Sequence, residues 1–220
     1  MAFSRAEVAS SLEGRRAALL EIAAIMAGIF AYLWLVVPTG RPLPTIAGAL
    51  AILAAITASI VLRMQGAGDC GLGCGNFRGS ALEVGTFTMA CGAGLLAASA
   101  VLDSRPELDY PVWAILITYT GWGFLQQYIF QSYLNNRLRA VVRGNLRGIL
   151  LNAAIFSSVH LPNSFLMAMT FVGGLFWSYS FRRHPNLITV SISHGVLGTM
   201  LYYALPRSVT HGLAIGPGYP

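Results

Sequence analysis

Apolar residues run in long blocks along this chain, and the polar residues gather between the blocks. The blocks cover roughly 17–37, 44–62, 81–102, 111–134, 148–161, 164–181 and 187–205, each bounded by charge, glycine or proline. A helix that crosses the hydrocarbon core of a bilayer needs about 20 apolar residues. The pattern therefore predicts an all-α polytopic membrane protein, a bundle of seven transmembrane helices. The fifth run is short and ends on His160-Leu161-Pro162-Asn163, which reads as a tight turn before the sixth. Joining runs five and six gives six spans, the alternative count.

Composition agrees with the pattern. Hydrophobic residues make up 55% of the 220 and charged residues 10%, whereas soluble domains carry about 25% charge. The spans leave little over for a soluble module, so residues 1–220 are read as a single membrane domain. The apolar run 17–37 exceeds the core of a signal peptide, and Pro38-Thr39-Gly40 after it is no small-residue cleavage site, so it is read as the first span.

The net charge of +6 would suggest nucleic acid in a soluble protein, but here the basic residues lie between spans and read as topology signals. With seven spans and the N-terminus inside, Arg5, Arg15, Arg16, Arg63, Arg78, Arg137, Arg139, Arg143, Arg147, Arg182 and Arg183 fall inside. Arg41, Arg105 and Arg207 fall outside, where the segment 103–110 also carries Asp103, Glu107 and Asp109. The expected topology is N-in and C-out in a multi-pass protein of the cell membrane. No nucleic-acid partner is expected, and no glycine-rich phosphate loop follows a strand pattern.

The segment Gly66–Gly79 is rich in glycine and contains Cys70 and Cys74. A C-x3-C pair lacks the four ligands and the C-x2-C spacing of a structural metal site, so the segment is expected to be a flexible loop. Cys91 lies within an apolar run and reads as a small buried hydrophobe, so three cysteines imply no disulfide framework.

Polar groups at membrane depth are expensive, face the bundle interior and mark function by default. The fourth run carries Gln126, Gln127 and Gln131, the fifth Asn152 and His160, and the seventh Ser191, Ser193 and His194. Gln127 and Gln131 are four residues apart, one above the other on an α-helix, while Gln126 is offset by about 100°. A rise of about 1.5 Å per residue puts Gln127, His160 and His194 at similar depths, so a shared site is feasible. Hydrogen bonding between helices as simple glue is the competing reading of each residue alone.

At these residues the sequence resembles the CPBP family, the CAAX-protease and bacteriocin-processing intramembrane endopeptidases, whose pattern is E-E-x-x-x-R, then F-x-x-x-H, then H-x-x-x-N/D. The run from Leu125 to Leu134 resembles the first part with Gln126, Gln127 and Gln131 in place of both acids and the arginine. Phe156 to His160 meets the second part, and His194 opens the third, with Gly198 where the family has Asn or Asp. The helix from Gly173-Gly174 to Arg182-Arg183 falls between them as in the family. The resemblance covers residues 111–205, the CPBP-like core. It implies hydrolysis of a peptide bond at the membrane, with the bilayer and a membrane-associated peptide or lipidated protein as partners. It also implies that the glutamate positions activate water and that the histidines bind a metal or stabilise an oxyanion.

The departures bear on that chemistry. A neutral carboxamide cannot take a proton from water, so Gln126 and Gln127 cannot act as general base. Losing the arginine at Gln131 fits the loss of the acids, because a lone buried cation costs several kcal/mol, roughly. Zinc held by His160 and His194 alone would have two protein ligands where catalytic sites have three, so no cofactor is expected and metal binding should be weak or absent. Three readings stay open: a non-catalytic homologue that binds a peptide or lipidated terminus, an active enzyme, or a transporter subunit or structural protein outside the family. The active enzyme would use a relocated acid, Glu21 or Glu83, or a histidine base.

Overall fold

The computed structural model describes residues 12–104 and 109–219, and these form helices and turns without a strand. Arg5, Arg105 and Glu107, which entered the topology reading, lie outside the described residues. Helix α1 (Leu12–Ala31) continues through a π-helical turn (Tyr32–Val36) into a 3-10 turn (Val37–Thr39). Pro38 and the left-handed Gly40, with φ 63°, end it, since proline lacks the N–H that would extend the ladder and glycine takes positive φ freely. Helix α2 (Pro42–Leu62) opens on Pro42, whose missing N–H falls where no intrahelical acceptor exists.

Helix α3 (Phe77–Val101) is followed by a continuous rod made of α4 (Val112–Gln127), a π-helical stretch (Tyr128–Asn135) and α5 (Asn136–Val141). Then come α6 (Asn145–Ser158), α7 (Ser164–Arg183), α8 (Leu187–Ala204) and the short α9 (Arg207–Thr210). Each expected run contains a helix, and runs five and six are two helices rather than one. The rod extends past the expected end at 134 to Val141. Among the described residues, five helical segments are long and apolar enough to cross a membrane: Glu13–Thr39, Pro42–Leu62, Phe77–Val101, Ser164–Arg183 and Leu187–Ala204. The rod and α6 fall short of that standard, and these two segments carry the glutamines, Asn152 and the approach to His160.

Contacts between loops define the two ends of the bundle. At the arginine-rich end Glu21 of α1 bridges Arg63 at 2.7 Å and Arg137 at 2.9 Å and is hydrogen-bonded to Ser59. Arg137 also donates to Gln65 and to the Ser59 carbonyl, so one buried cation ties α1, α2 and α5 together. The glycine-rich segment expected to be flexible is fastened at this end. Ser132 donates to the Cys70 carbonyl at 2.7 Å, Asn136 to that of Asp69 at 2.7 Å, and the Leu187 N–H to that of Gly71 at 2.8 Å. Gly71 has φ 72°, and a Cβ there would lie 2.6 Å from the Phe181 ring. At the opposite end Asp109 pairs with Arg207, and Tyr203 donates to the Tyr110 carbonyl at 2.7 Å.

Helix α8 is central and packs on α3 and α4. A Cβ at Gly195 would come within 2.6 Å of Thr120 Cα, and one at Gly123 within 3.2 Å of His194 Cβ. Helices in lipid associate through close packing and interhelical hydrogen bonds rather than the hydrophobic effect, so small residues at the crossing set how near the backbones come. That closeness brings α4 alongside His194.

Candidate functional site

Asn186 caps α8 by accepting from the Thr189 N–H at 3.0 Å, which fixes the start of the helix and hence the height of His194. Two turns of packing on α4 then place His194 Nδ1 3.1 Å from Gln127 Nε2. The His194 ring stacks on Trp177 of α7, centroids 4.9 Å apart at 10°. Trp177 is itself held by Nε1 donating to Ser193 at 3.0 Å. His160 follows the last turn of α6, where its Nδ1 lies 2.9 Å from the Phe156 carbonyl. A carbonyl only accepts, so Nδ1 carries the proton and Nε2 keeps its lone pair. Phe156 stands edge-on to both histidines, at 5.2 Å from His160 and 5.9 Å from His194.

The histidines open on a cavity of about 490 Å³ between α3, α4, α7 and α8. Gln126, His160 and His194 supply its polar corner, while Phe87, Leu95, Trp122, Met169, Trp177 and Leu197 are among the apolar residues that make most of the remaining wall. A second, apolar cavity of about 80 Å³ lies on the side of α1 and α2 and shares Trp122, Gln126 and Ile215 with the first.

The three glutamines part company. Gln126 faces both cavities, and Gln127 lies behind the wall on His194. Gln131 reaches neither cavity; its Oε1 accepts from Asn135 at 3.0 Å and from Asn152 at 3.5 Å. Gln127 and Gln131, expected one above the other on an α-helix, line no cavity, and the rod changes pitch between them at Tyr128. A π-helical stretch rotates the fourth residue off the face it would hold on an α-helix. Buried atoms of all three, Gln126 Oε1, Gln127 Oε1 and Gln131 Nε2, have no protein partner, and neither has Asn152 Oδ1. From Gln131 the polar chain continues through Asn135, which accepts from Arg182 at 2.6 Å, to Asn145 at the arginine-rich end. Asn135 and Arg182 as members of this chain escaped the sequence reading, since they lie on different helices and meet only in the folded bundle.

The carboxylates nominated as relocated acids are engaged elsewhere. Glu21 sits in the Arg63 and Arg137 cluster. Glu83 pairs with Arg183 at 3.0 Å and accepts from Ser180 at 2.8 Å. Neither lines either cavity, so neither can reach a water held by the histidines. Gly198, at the family's Asn or Asp position, is required by packing: a Cβ there would lie 2.8 Å from the Tyr119 ring. Catalytic zinc does not fit the donors present. Two histidines stand among carboxamides, and no group of three His, Cys, Asp or Glu occurs among the described residues.

Residues 108–200 match the family described as Type II CAAX prenyl endopeptidase Rce1-like. Comparison with curated proteins and with solved structures gives no match. The matched stretch contains the rod with its three glutamines, Phe156 and both histidines, and of these Gln126, His160 and His194 line the larger cavity. The match over residues 108–200 supports the CPBP family of CAAX-type intramembrane proteases for this part of the chain.

Proposed function

We propose that this protein is a multi-pass protein of the cell membrane that binds the lipidated terminus of a peptide or protein in the histidine-lined cavity and does not hydrolyse it. The observation that carries this reading is the cavity wall itself: among the described residues it has no carboxylate. Peptide hydrolysis by activated water needs a base within hydrogen-bond reach of that water. Amides stand at both positions where the family's acids would be, and Glu21 and Glu83 are held in ion pairs. What remains suits binding. An apolar chamber accepts a hydrocarbon chain, and the polar corner at Gln126, His160 and His194 offers donors and acceptors to a peptide backbone. The unpartnered oxygen of Gln126 supports such a role, since a buried carboxamide without a protein partner gains a hydrogen bond when a ligand N–H arrives.

A second reading has one observation in its favour. His160 carries its proton on Nδ1, which leaves Nε2 free to accept one, so a histidine could serve as base in an active enzyme. A cleavage assay on prenylated peptides in nanodiscs separates the two. Wild type is expected to bind the peptide and give no product, and the Q126E/Q127E/Q131R triple variant tests whether the scaffold is dormant. Turnover by wild type that disappears in both His160→Ala and His194→Ala would overturn the binding reading. Zinc should be substoichiometric in the purified protein by elemental analysis. One bound zinc per chain, lost in His160→Ala, would contradict this.

A further inference from the structure

Helix α6 has 14 residues, about 21 Å at 1.5 Å per residue, against a hydrocarbon core of about 30 Å. Its far end, with His160 and the turn to Asn163, therefore stops short of the bilayer surface. Irregular backbone at such depth is tolerated only where protein covers it and supplies its hydrogen-bond partners. The segment after α9 provides both. The Gly216 N–H donates to the Leu161 carbonyl at 2.7 Å. Asn163, fully buried, donates to the carbonyls of Thr210 at 3.0 Å and Ala214 at 3.1 Å while its Oδ1 caps α7 through the Leu166 N–H. Residues 211–216 thus form a strap drawn across the histidine end of the bundle. At its far side a Cβ on Gly216 would come within 3.3 Å of the Leu33 carbonyl after α1.

The strap is held in an unfavourable backbone shape. His211 and Leu213 have φ of 50° and 58°, the left-handed region that disfavours L side chains. Such a conformation persists where the surroundings over-determine it. Here the determinant is where the side chains go: Leu213 and Ile215 both enter the wall of the larger cavity. Ile215 also lines the smaller one, and together with Trp122 and Gln126 it forms the partition between the two.

We infer that the strap is a specificity element, in which Leu213 and Ile215 form the end wall that sets how long a hydrocarbon chain the cavity accepts. The inference rests on the reading of the cavity as the binding site of a lipidated terminus. Ile215 is the determining residue because trimming it joins the two cavities, and the added space is lined by apolar side chains apart from Gln126 and Tyr32. A longer chain then buries methylenes that wild type leaves outside.

The test uses the full chain in nanodiscs and a fluorescent peptide ending in farnesyl-cysteine or geranylgeranyl-cysteine, with the ratio of the two Kd values as the readout. Ile215→Ala is expected to shift that ratio about tenfold toward the longer chain, the worth of one or two buried methylenes. Ile215→Phe is expected to shift it the other way. A ratio that stays unchanged in both variants overturns the inference. A photoactivatable prenyl chain on the same peptide, and a photoactivatable acyl chain on phosphatidylcholine in the nanodisc, provide a second measurement that does not depend on affinity. Peptide-derived label on Leu213 or Ile215 supports both the wall and the proposed function. Label from the phospholipid alone keeps the wall and removes the proposed function. No label on the strap from either probe removes the wall.

Discussion

Single side chains in this bundle differ sharply in how much depends on them, and burial decides which. The Arg137 side chain is 5% exposed and satisfies Glu21, Gln65 and Ser59, whereas Arg183 is 53% exposed in its pair with Glu83. Removing Arg137 leaves Glu21 its Arg63 partner but strips Gln65 and the Ser59 carbonyl of their buried donor, at about 1–3 kcal/mol for each group left unsatisfied, while an exposed pair is worth up to about 1 kcal/mol. Thermal unfolding in detergent should therefore show Arg137→Ala strongly destabilised and Arg183→Ala close to wild type. Equal effects would mean the Glu21 cluster is solvated. Gly198→Asn, which restores the family residue, should destabilise by roughly 1–3 kcal/mol through overpacking on Tyr119. Tyr119→Ala in the same chain should recover most of that loss; if it does not, the glycine answers to something other than this contact. At the arginine-rich end, burial and the neighbouring Asp69 push the Cys70 thiol above its ordinary range despite Arg137, while Cys74 is exposed. The thiolate is the reactive form. Maleimide should label Cys74 well before Cys70, and mass spectrometry of the labelled peptide reads the order.

Helix ends and one change of pitch carry the information at the scale of elements. Asn163 and Asn186 cap α7 and α8 alike, and replacing either by alanine should cost about 1 kcal/mol for the cap. Asn163 has a second duty, holding the carbonyls of Thr210 at the end of α9 and Ala214 in the strap, and these would be left buried without their donor. Asn163→Ala is therefore expected to cost roughly twice as much as Asn186→Ala, and hydrogen exchange should rise selectively over residues 206–216. Uniform exchange across the chain would detach the strap from Asn163. The π-helical stretch from Tyr128 to Asn135 decides which glutamine meets the cavity. It turns Gln131 toward Asn135 and Asn152 and leaves Gln126 facing the chamber.

The whole molecule is organised by its two ends. Arg15 donates to the Val141 carbonyl, Arg137 binds Glu21, and the segment around Cys70 meets the start of α8, all at one end. Asp109, Leu161, Asn163, Arg207 and Gly216 meet at the other. The helices of the described residues alternate between these two ends. Cysteine accessibility in intact cells is expected to place a residue introduced at 217 outside and one introduced at 145 inside. The reverse pattern would invert the topology, and exposure of both on one side would mean an even number of crossings.

Hydropathy alone determined the membrane character, the helical class and the approximate limits of the segments, because the bilayer imposes length and apolarity on each span independently of its neighbours. The short motif pieces around Gln126, His160 and His194 were enough to point to the family, since their order along the chain is local information. Three matters waited for the tertiary structure: that Glu21 and Glu83 are counter-ions rather than relocated acids, that Gln131 leaves the wall, and that Leu213 and Ile215 enter it. Each depends on partners distant in sequence or on a local change of helical pitch. Neither the arginines that claim a carboxylate nor the turn that needs a strap across it can be read from the residues beside them.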